Sequence, residues 1–359
     1  WDGATGKGIL WKIVPPKHGF SSPVIYAGKL FITGADDSAR EIYCYDAANG
    51  SLLWQAGATD IVGSPAKLPD VSEDTGFAAA TATCDGRYVY AIFATGDILC
   101  VDMDGNRQWA RNIGLPDNPY GHSSSLIVHS GKVLVQFDHF GSAQFIALDA
   151  RTGTTMWEKK RDVGASWASP ILVRTAERVV ALLNAEPLVQ AFDADTGDLI
   201  WSCECMGGEV GPSPAYDSGL AFVTTDYATL AAIALEGDNA GKVAWQTDEE
   251  LPDVASPVAH DGLLFVVTSI GIVSCYDAKD GTLQWREEMP EGCYASPLVA
   301  GGAVYLTDRK GSTHLYKVAR EAKHLGANAL GEAVVATPAF WEDKLYLRGV
   351  KHLYCVGSD

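Results

Sequence analysis

Three regularities in this 359-residue sequence predict an all-β fold, an eight-bladed β-propeller of four-stranded antiparallel blades. The first is a spaced tryptophan: Trp11, Trp54, Trp109, Trp157, Trp201, Trp245 and Trp285 recur at intervals of 43, 55, 48, 44, 44 and 40 residues. The second is a small hydroxyl residue before proline, as in Ser22-Pro23, Ser169-Pro170, Ser213-Pro214, Ser256-Pro257, Ser296-Pro297 and Thr337-Pro338, with Thr81-Ala82 and Ser125-Leu126 filling the gaps. Counted from Pro23, these markers step by 59, 44, 44, 44, 43, 40 and 41 residues, which makes eight units. The third is a divided last unit, whose missing piece stands at the other end of the chain.

Within a unit the elements follow in a fixed order. An apolar strand opens after the Ser-Pro, and a tight turn such as Ala27-Gly28-Lys29 or Asp261-Gly262 leads into an alternating β-rich strand such as 87–93 or 263–268. After a polar loop comes a third strand, such as 42–46 or 273–277. An Asn-Gly, Thr-Gly or Asp-Gly turn then folds it back into a fourth strand expected to end at the Trp, because glycine accepts the positive φ of such turns.

The final unit, from Pro338, reaches a third strand at 352–356 and has no fourth. Residues 1–12 read as a turn plus a fourth strand with nothing before it, so they are expected to complete the last blade and remove an exposed sheet edge. On this reading residues 1–359 form a single domain. Unit seven departs from the pattern: Leu325 stands where the Trp belongs, and that blade interface is expected to be among the weaker ones.

Composition excludes more than it selects. Lys plus Arg number 27 and Asp plus Glu 45, for a net charge of −18 and an isoelectric point near 4.8, which disfavours nucleic acid and anionic membranes as partners. No apolar run reaches the roughly 18 to 20 residues of a membrane span. The chain starts inside a blade motif, so no leader is expected within it. Cys44, Cys100, Cys275 and Cys355 fill one third-strand slot that other units give to Ala147, Ala191 and Ile233, which reads as a small core position. Cys203 and Cys205 share a face of one strand, a poor geometry for a bridge. The Asp102 and Asp193 turns look faintly like calcium loops but occupy hairpin positions, so turn chemistry explains them and no metal site is assigned. Rossmann, Walker, zincin and nucleophile-elbow motifs are absent.

Chemistry, if any, is expected on the loop face around the central pore. The candidate ligand site comprises Trp167, Tyr120, His122, Glu209 and Tyr294 from inter-blade loops, with Asp308, Arg309, Lys310, Arg348 and Lys351 from loops within blades. Further polar groups there are His18, Asp74, Asp138, His139, Asn184, Asp226 and Asp253. Rings and carboxylates with a basic group suit a small polar or anionic ligand. Residues 55–80, with Asp60, Asp70, Glu73 and Asp74, form an insertion that reads either as a lid over that face or as a long surface loop.

The pattern in 147–157 (Ala-Leu-Asp-Ala-Arg-Thr-Gly-Thr-Thr-Met-Trp) and 191–201 (Ala-Phe-Asp-Ala-Asp-Thr-Gly-Asp-Leu-Ile-Trp) resembles the tryptophan-docking repeat of the pyrroloquinoline-quinone (PQQ) propeller superfamily. The resemblance covers the whole chain. That superfamily holds both PQQ-dependent alcohol dehydrogenases and the non-enzymatic envelope lipoproteins of the BamB type, and stretches 119–125, 205–214 and 251–257 are similar to exported bacterial members.

Two functions are therefore implied. One is a non-catalytic binding or scaffolding module of the bacterial periplasm or envelope, with a protein partner or small ligand at its loop face. The alternative is a PQQ- and calcium-dependent alcohol or sugar dehydrogenase, with Arg309, Lys310, Arg348 or Lys351 on the quinone carboxylates. The dehydrogenases carry two adjacent cysteines under the cofactor, and this sequence has no such pair. A hydrolase built from His122 with Ser123 or Ser124 ranks below both, since no orienting acid can be assigned.

Overall fold

In a computed structural model that describes residues 1–358, the chain folds into eight antiparallel sheets of four strands, with one short 3-10 turn at Gly237–Asn239. This is the eight-bladed β-propeller class. Blades 1 to 7 are consecutive: residues 24–57, 83–112, 127–160, 171–204, 215–247, 258–288 and 298–329. Blade 8 takes three strands from residues 339–356 and its fourth from Ile9–Ile13, which pairs Trp11 with Cys355 and Ile13 with Leu353.

The chain divides into two compact units. The first holds Trp1–Lys7, Ser166–Ala194 and Asp198–Pro338, and so blades 4 to 7. Its core is built from inward-facing strand residues such as Leu182, Val189, Ala191, Val223 and Ile233, and further on Phe265, Cys275, Val304 and Tyr316. The second holds Gly8–Ala165, Asp195–Gly197 and the residues from Ala339, and so blades 1 to 3 and 8. Tyr90, Ile98, Cys100, Val133 and Ile146 pack one of its clusters, and Leu30, Tyr43, Tyr346 and Cys355 another.

Each repeat residue now has a physical job. The indole N–H of all seven repeat tryptophans donates to a backbone carbonyl: Trp11 to Ala47, Trp54 to Met103, Trp109 to Ala150, Trp157 to Asp195, Trp201 to Leu235, Trp245 to Ala278 and Trp285 to Ala319, at 2.9 to 3.2 Å. In six of the seven a turn glycine lies against the same ring, Trp285 being the exception. A Cβ at Gly153 would stand 2.5 Å from Trp109, and one at Gly281 2.6 Å from Trp245. The motif Asp closes the turn with its side chain, as Asp149 does by accepting the N–H groups of Arg151 and Thr152.

The hydroxyl of the Ser-Pro marker is an acceptor. The backbone N–H of Ser169 donates to Ser213 Oγ, Ser213 to Ser256, Ser256 to Ser296 and Ser296 to Thr337, at 2.8 to 3.0 Å. In the second unit Ser22 donates to Thr81 and Thr81 to Ser125. This explains why Thr81 and Ser125 keep the hydroxyl although their units lack the proline.

Two expectations about strand ends are corrected. The fourth strands do not stop at the Trp: Leu52–Gly57, Arg107–Asn112 and Leu199–Glu204 continue three residues past it. The Trp marks a bulge instead. Cys44 pairs with Trp54 but Tyr45 with Leu52, and beyond this irregularity pairing runs on to Glu41 and Gly57. The insertion correspondingly begins after Gly57 rather than at 55.

At blade 7 the register corrects the sequence alignment: Leu315 pairs with Gly326 and Tyr316 with His324, as Cys275 pairs with Trp285 and Tyr276 with Leu283, so Gly326 and not Leu325 holds the Trp position and no ring stands there. Backbone contact takes its place within the first unit: Gly3 N–H donates to Ala329 O at 2.8 Å, with no room for a side chain at residue 3 against the Leu330 carbonyl.

The eight cysteines are free thiols. Burial pushes Cys44, Cys275 and Cys293 up to about 12. Asp102 closes its own turn by accepting the N–H groups of Asp104 and Asn106.

Candidate functional site

In the first unit the blade 7 loop after Ala303–Thr307 carries Asp308, Arg309 and Lys310. Asp308 accepts the N–H groups of Lys310 and Ser312, both at 2.9 Å, and lies 3.3 Å from His314 Nε2. Burial alone would raise its pKa, but the His314 contact and the two amides together hold it below the usual value. The Arg309 guanidinium stacks over Tyr294, 5.0 Å from the ring centroid, and Lys310 pairs with Glu291. Arg309, Tyr294, Asp308 and Lys310 thus form one neighbourhood in which each charge has a partner.

Glu209 and Trp167 belong to other loops of that unit. The Glu209 carbonyl accepts from Thr225 Oγ1 at 3.1 Å, and Trp167 N–H bonds to Val210 O at 3.0 Å. Near Glu209, Asp226 has its pKa raised by burial first and then by the charges of Asp253 and Glu209. Among the described residues no group of three His, Cys, Asp or Glu side chains is arranged to hold a metal ion.

The second unit holds the other four candidates. Tyr120 is half-exposed, and its carbonyl accepts from the Thr75 hydroxyl of the insertion. His122 lies only two residues on but is 2% exposed, packed 5.5 Å from the Phe137 ring. Burial pulls it down to about 4, so it is a neutral imidazole at any physiological pH. Arg348 is 3% exposed and donates through Nη1 to the carbonyl and hydroxyl of Ser21, at 3.0 and 2.6 Å. Lys351 is exposed, and it lines a small cleft with Arg348, His18 and Pro15–Lys17.

Two larger clefts flank the insertion. One of about 660 Å³ is lined by His18, Phe20, Asp36, Phe77 and residues 69–73; the other, of about 540 Å³, by Leu115, Pro116, Asn118, Pro119 and Phe140. Pro69 and Asp70 are common to both, so the insertion forms a ridge between two clefts. Val71 holds it down, close against Gly121.

Sequence reasoning missed three features of this region. Phe140, 62% exposed beside Leu115, was not recognisable because its strand end has no repeat position. Arg161 pairs with Asp138 in full burial, and Asp138 also accepts from Gln136 at 2.8 Å. The only available signal was a basic run, Lys159-Lys160-Arg161, at the end of a fourth strand. Ser21, the partner of Arg348, was passed over beside the Ser22-Pro23 marker.

With this geometry in place, comparison with known proteins is informative. The model of the family described as outer membrane protein assembly factor BamB matches residues 1–135, 142–256 and 234–325. The protein of that name from Salmonella typhimurium (strain LT2) is 26% identical over 240 residues, covering 62% of this chain and 59% of the relative. The chain therefore spans less than two thirds of that relative's length. A crystal structure of BamB from Moraxella catarrhalis superposes with a TM-score of 0.73 at 15% identity, covering 98% of this chain and 97% of that one. A europium-containing methanol dehydrogenase gives 0.72 at 12% identity over 94% of this chain and 84% of its own. At such identities both superpositions speak for the fold alone.

Proposed function

From the premise that the chain belongs to the family of the outer membrane protein assembly factor BamB, we propose that it is a non-catalytic binding module of the bacterial envelope, docking proteins of the outer-membrane assembly machinery through its loops. The observation that carries this reading is the family match across nearly the whole chain. The local chemistry agrees with it: in the first unit Arg309, Lys310 and Asp308 are engaged with Tyr294, Glu291 and turn amides, and in the second Arg348 is engaged with Ser21.

The docking face we assign is the insertion with its two clefts, where Leu115, Tyr120 and Phe140 expose apolar surface beside Asp70 and Asp117. Exposed aromatic side chains with a polar rim are the ordinary composition of a protein interface. The test is site-specific photo-cross-linking in a bacterial envelope, with the photoreactive residue at 140 and, as a control, at the exposed Lys279 of a blade 6 turn. Cross-links from 140 to a component of the assembly machinery, absent from 279, are expected. Equal labelling from the two positions would overturn the reading.

A further inference from the structure

Arg348 is a buried cation with no acidic partner. Among the described residues no carboxylate lies within ion-pairing distance of it, and only Nη1 donates hydrogen bonds, both to Ser21. The contrast with Arg161, equally buried and paired with Asp138, is sharp in a chain with 45 acidic residues to choose from. An uncompensated buried charge is costly, and burial drags the Arg348 guanidinium down to about 10, with Tyr45 and Tyr43 the groups that oppose the shift.

Arg348 borders a cleft of about 120 Å³, walled by Pro15–Gly19 on one side and Gly349–Lys351 on the other. One water occupies about 30 Å³ of liquid, so the cleft is several times that size. Gly19 packs against the guanidinium: a Cβ there would lie 2.8 Å from Arg348 Nη2 and 2.8 Å from Thr33 O. The Tyr45 hydroxyl is buried without a hydrogen-bond partner, and its phenol is close enough to act on Arg348. Lys17 is committed to Asp36, and burial together with Arg348 lowers the His18 pKa, so that its ring is a neutral donor or acceptor.

We propose that the Arg348 cleft of the second unit binds a small oxyanion, a carboxylate or a phosphate, with the Nε and Nη2 edge of the guanidinium as its principal donor. That edge presents two parallel N–H groups, the geometry that takes two oxygens at once. Ser21 holds Nη1 and thereby fixes the plane of the fork. The proposal does not depend on the scaffold reading, since a docking module and an enzyme could each carry such a site.

The test is a titration of the purified chain with sodium acetate and, separately, sodium phosphate, at constant ionic strength made up with chloride. Amide chemical shifts of Gly19 and Gly349 report the cleft. A saturable shift with a dissociation constant at or below about 10 mM is expected for at least one of the two anions, the tighter one naming the class. Arg348→Lys keeps the charge but loses the fork, and should weaken binding at least tenfold. Shifts that grow linearly with both anions, or that chloride alone reproduces, would overturn the proposal on the unaltered protein even if Arg348→Lys failed to fold. Unchanged affinity in a folded Arg348→Lys would do the same. Cross-linking at residue 140 reads the docking proposal independently.

Discussion

Gly281 lies against the indole of Trp245 so closely that a Cβ at 281 would stand 2.6 Å from ring carbon Cε3, while the same indole donates to the Ala278 carbonyl at 2.9 Å. Ring, glycine and carbonyl form one joint, which recurs wherever a turn glycine faces a repeat tryptophan. Gly281 also has φ +76°, so an alanine there meets both steric exclusion and backbone strain.

Gly281→Ala should therefore cost more than the roughly 1 kcal/mol of positive φ alone, on the order of 2 to 4 kcal/mol. Gly262→Ala is the matched control, with φ +74° and nothing within reach of a Cβ. Urea unfolding of the two variants should give the lower midpoint for Gly281→Ala. Equal midpoints would show that the ring contact does not matter.

Blade 7 offers the reverse experiment. Gly326 holds the Trp position, and a Cβ there or at Gly6 would meet nothing, so Gly326→Trp has room to restore the missing joint within the first unit, against a backbone at φ +141°. We expect a gain of about 1 kcal/mol from the added burial and indole N–H. A lower melting temperature in this variant would mean that the Gly3–Ala329 backbone contact already fixes the seam.

The hydroxyl ladder predicts that Ser256→Ala strands the backbone N–H of Ser213, bonded to it at 2.9 Å, at a cost of about 1 to 3 kcal/mol. Ser256→Thr keeps the acceptor and should be nearly neutral. Hydrogen exchange at the Ser213 amide reads the bond directly: protection should drop in the alanine variant alone.

How much of this was legible in the sequence depends on whether the responsible contact repeats. The Asp-Gly-Trp joint and the Ser-Pro hydroxyl recur blade after blade, so their spacing announced the fold, the blade count and the N-terminal strand that completes blade 8. Single-copy contacts leave no such trace. Arg348 and Ser21 are 327 positions apart and meet because blade 8 is finished by the other end of the chain. Tyr120 and His122 looked alike as loop residues, yet one faces solvent and the other is enclosed by Phe137. The bulge at each Trp was hidden because period-2 alternation does not reveal where a strand slips by one residue.

Acid should expose the enclosed histidine. Burial holds His122 at about 4 against an ordinary value of 6.5, so the unfolded chain takes up this proton at higher pH than the folded one. Its contribution is complete above about pH 6.5 and is lost as pH falls towards 4, roughly 3 kcal/mol in all. Burial lowers His139 too, adding a loss of the same sign. His122→Gln, which cannot titrate, should flatten the stability profile over that interval; an unchanged slope would place the acid sensitivity elsewhere.

The buried pair predicts a further asymmetry. Asp138→Ala leaves Arg161 charged and enclosed and should cost about 3 to 5 kcal/mol, whereas Asp138→Leu with Arg161→Met should cost less than the single change. A double variant less stable than Asp138→Ala would contradict this reading of the pair.

On the proposed function this family member binds rather than turns over. The most direct measurement is an absorbance titration of the purified chain with PQQ and calcium, coupled to alcohol and sugar oxidation with an artificial electron acceptor. With Lys310 held by Glu291, Arg309 stacked on Tyr294 and no adjacent cysteines in the chain, no turnover above the protein-free control is predicted. Micromolar quinone binding accompanied by calcium-dependent turnover, both abolished by Arg309→Ala, would contradict it.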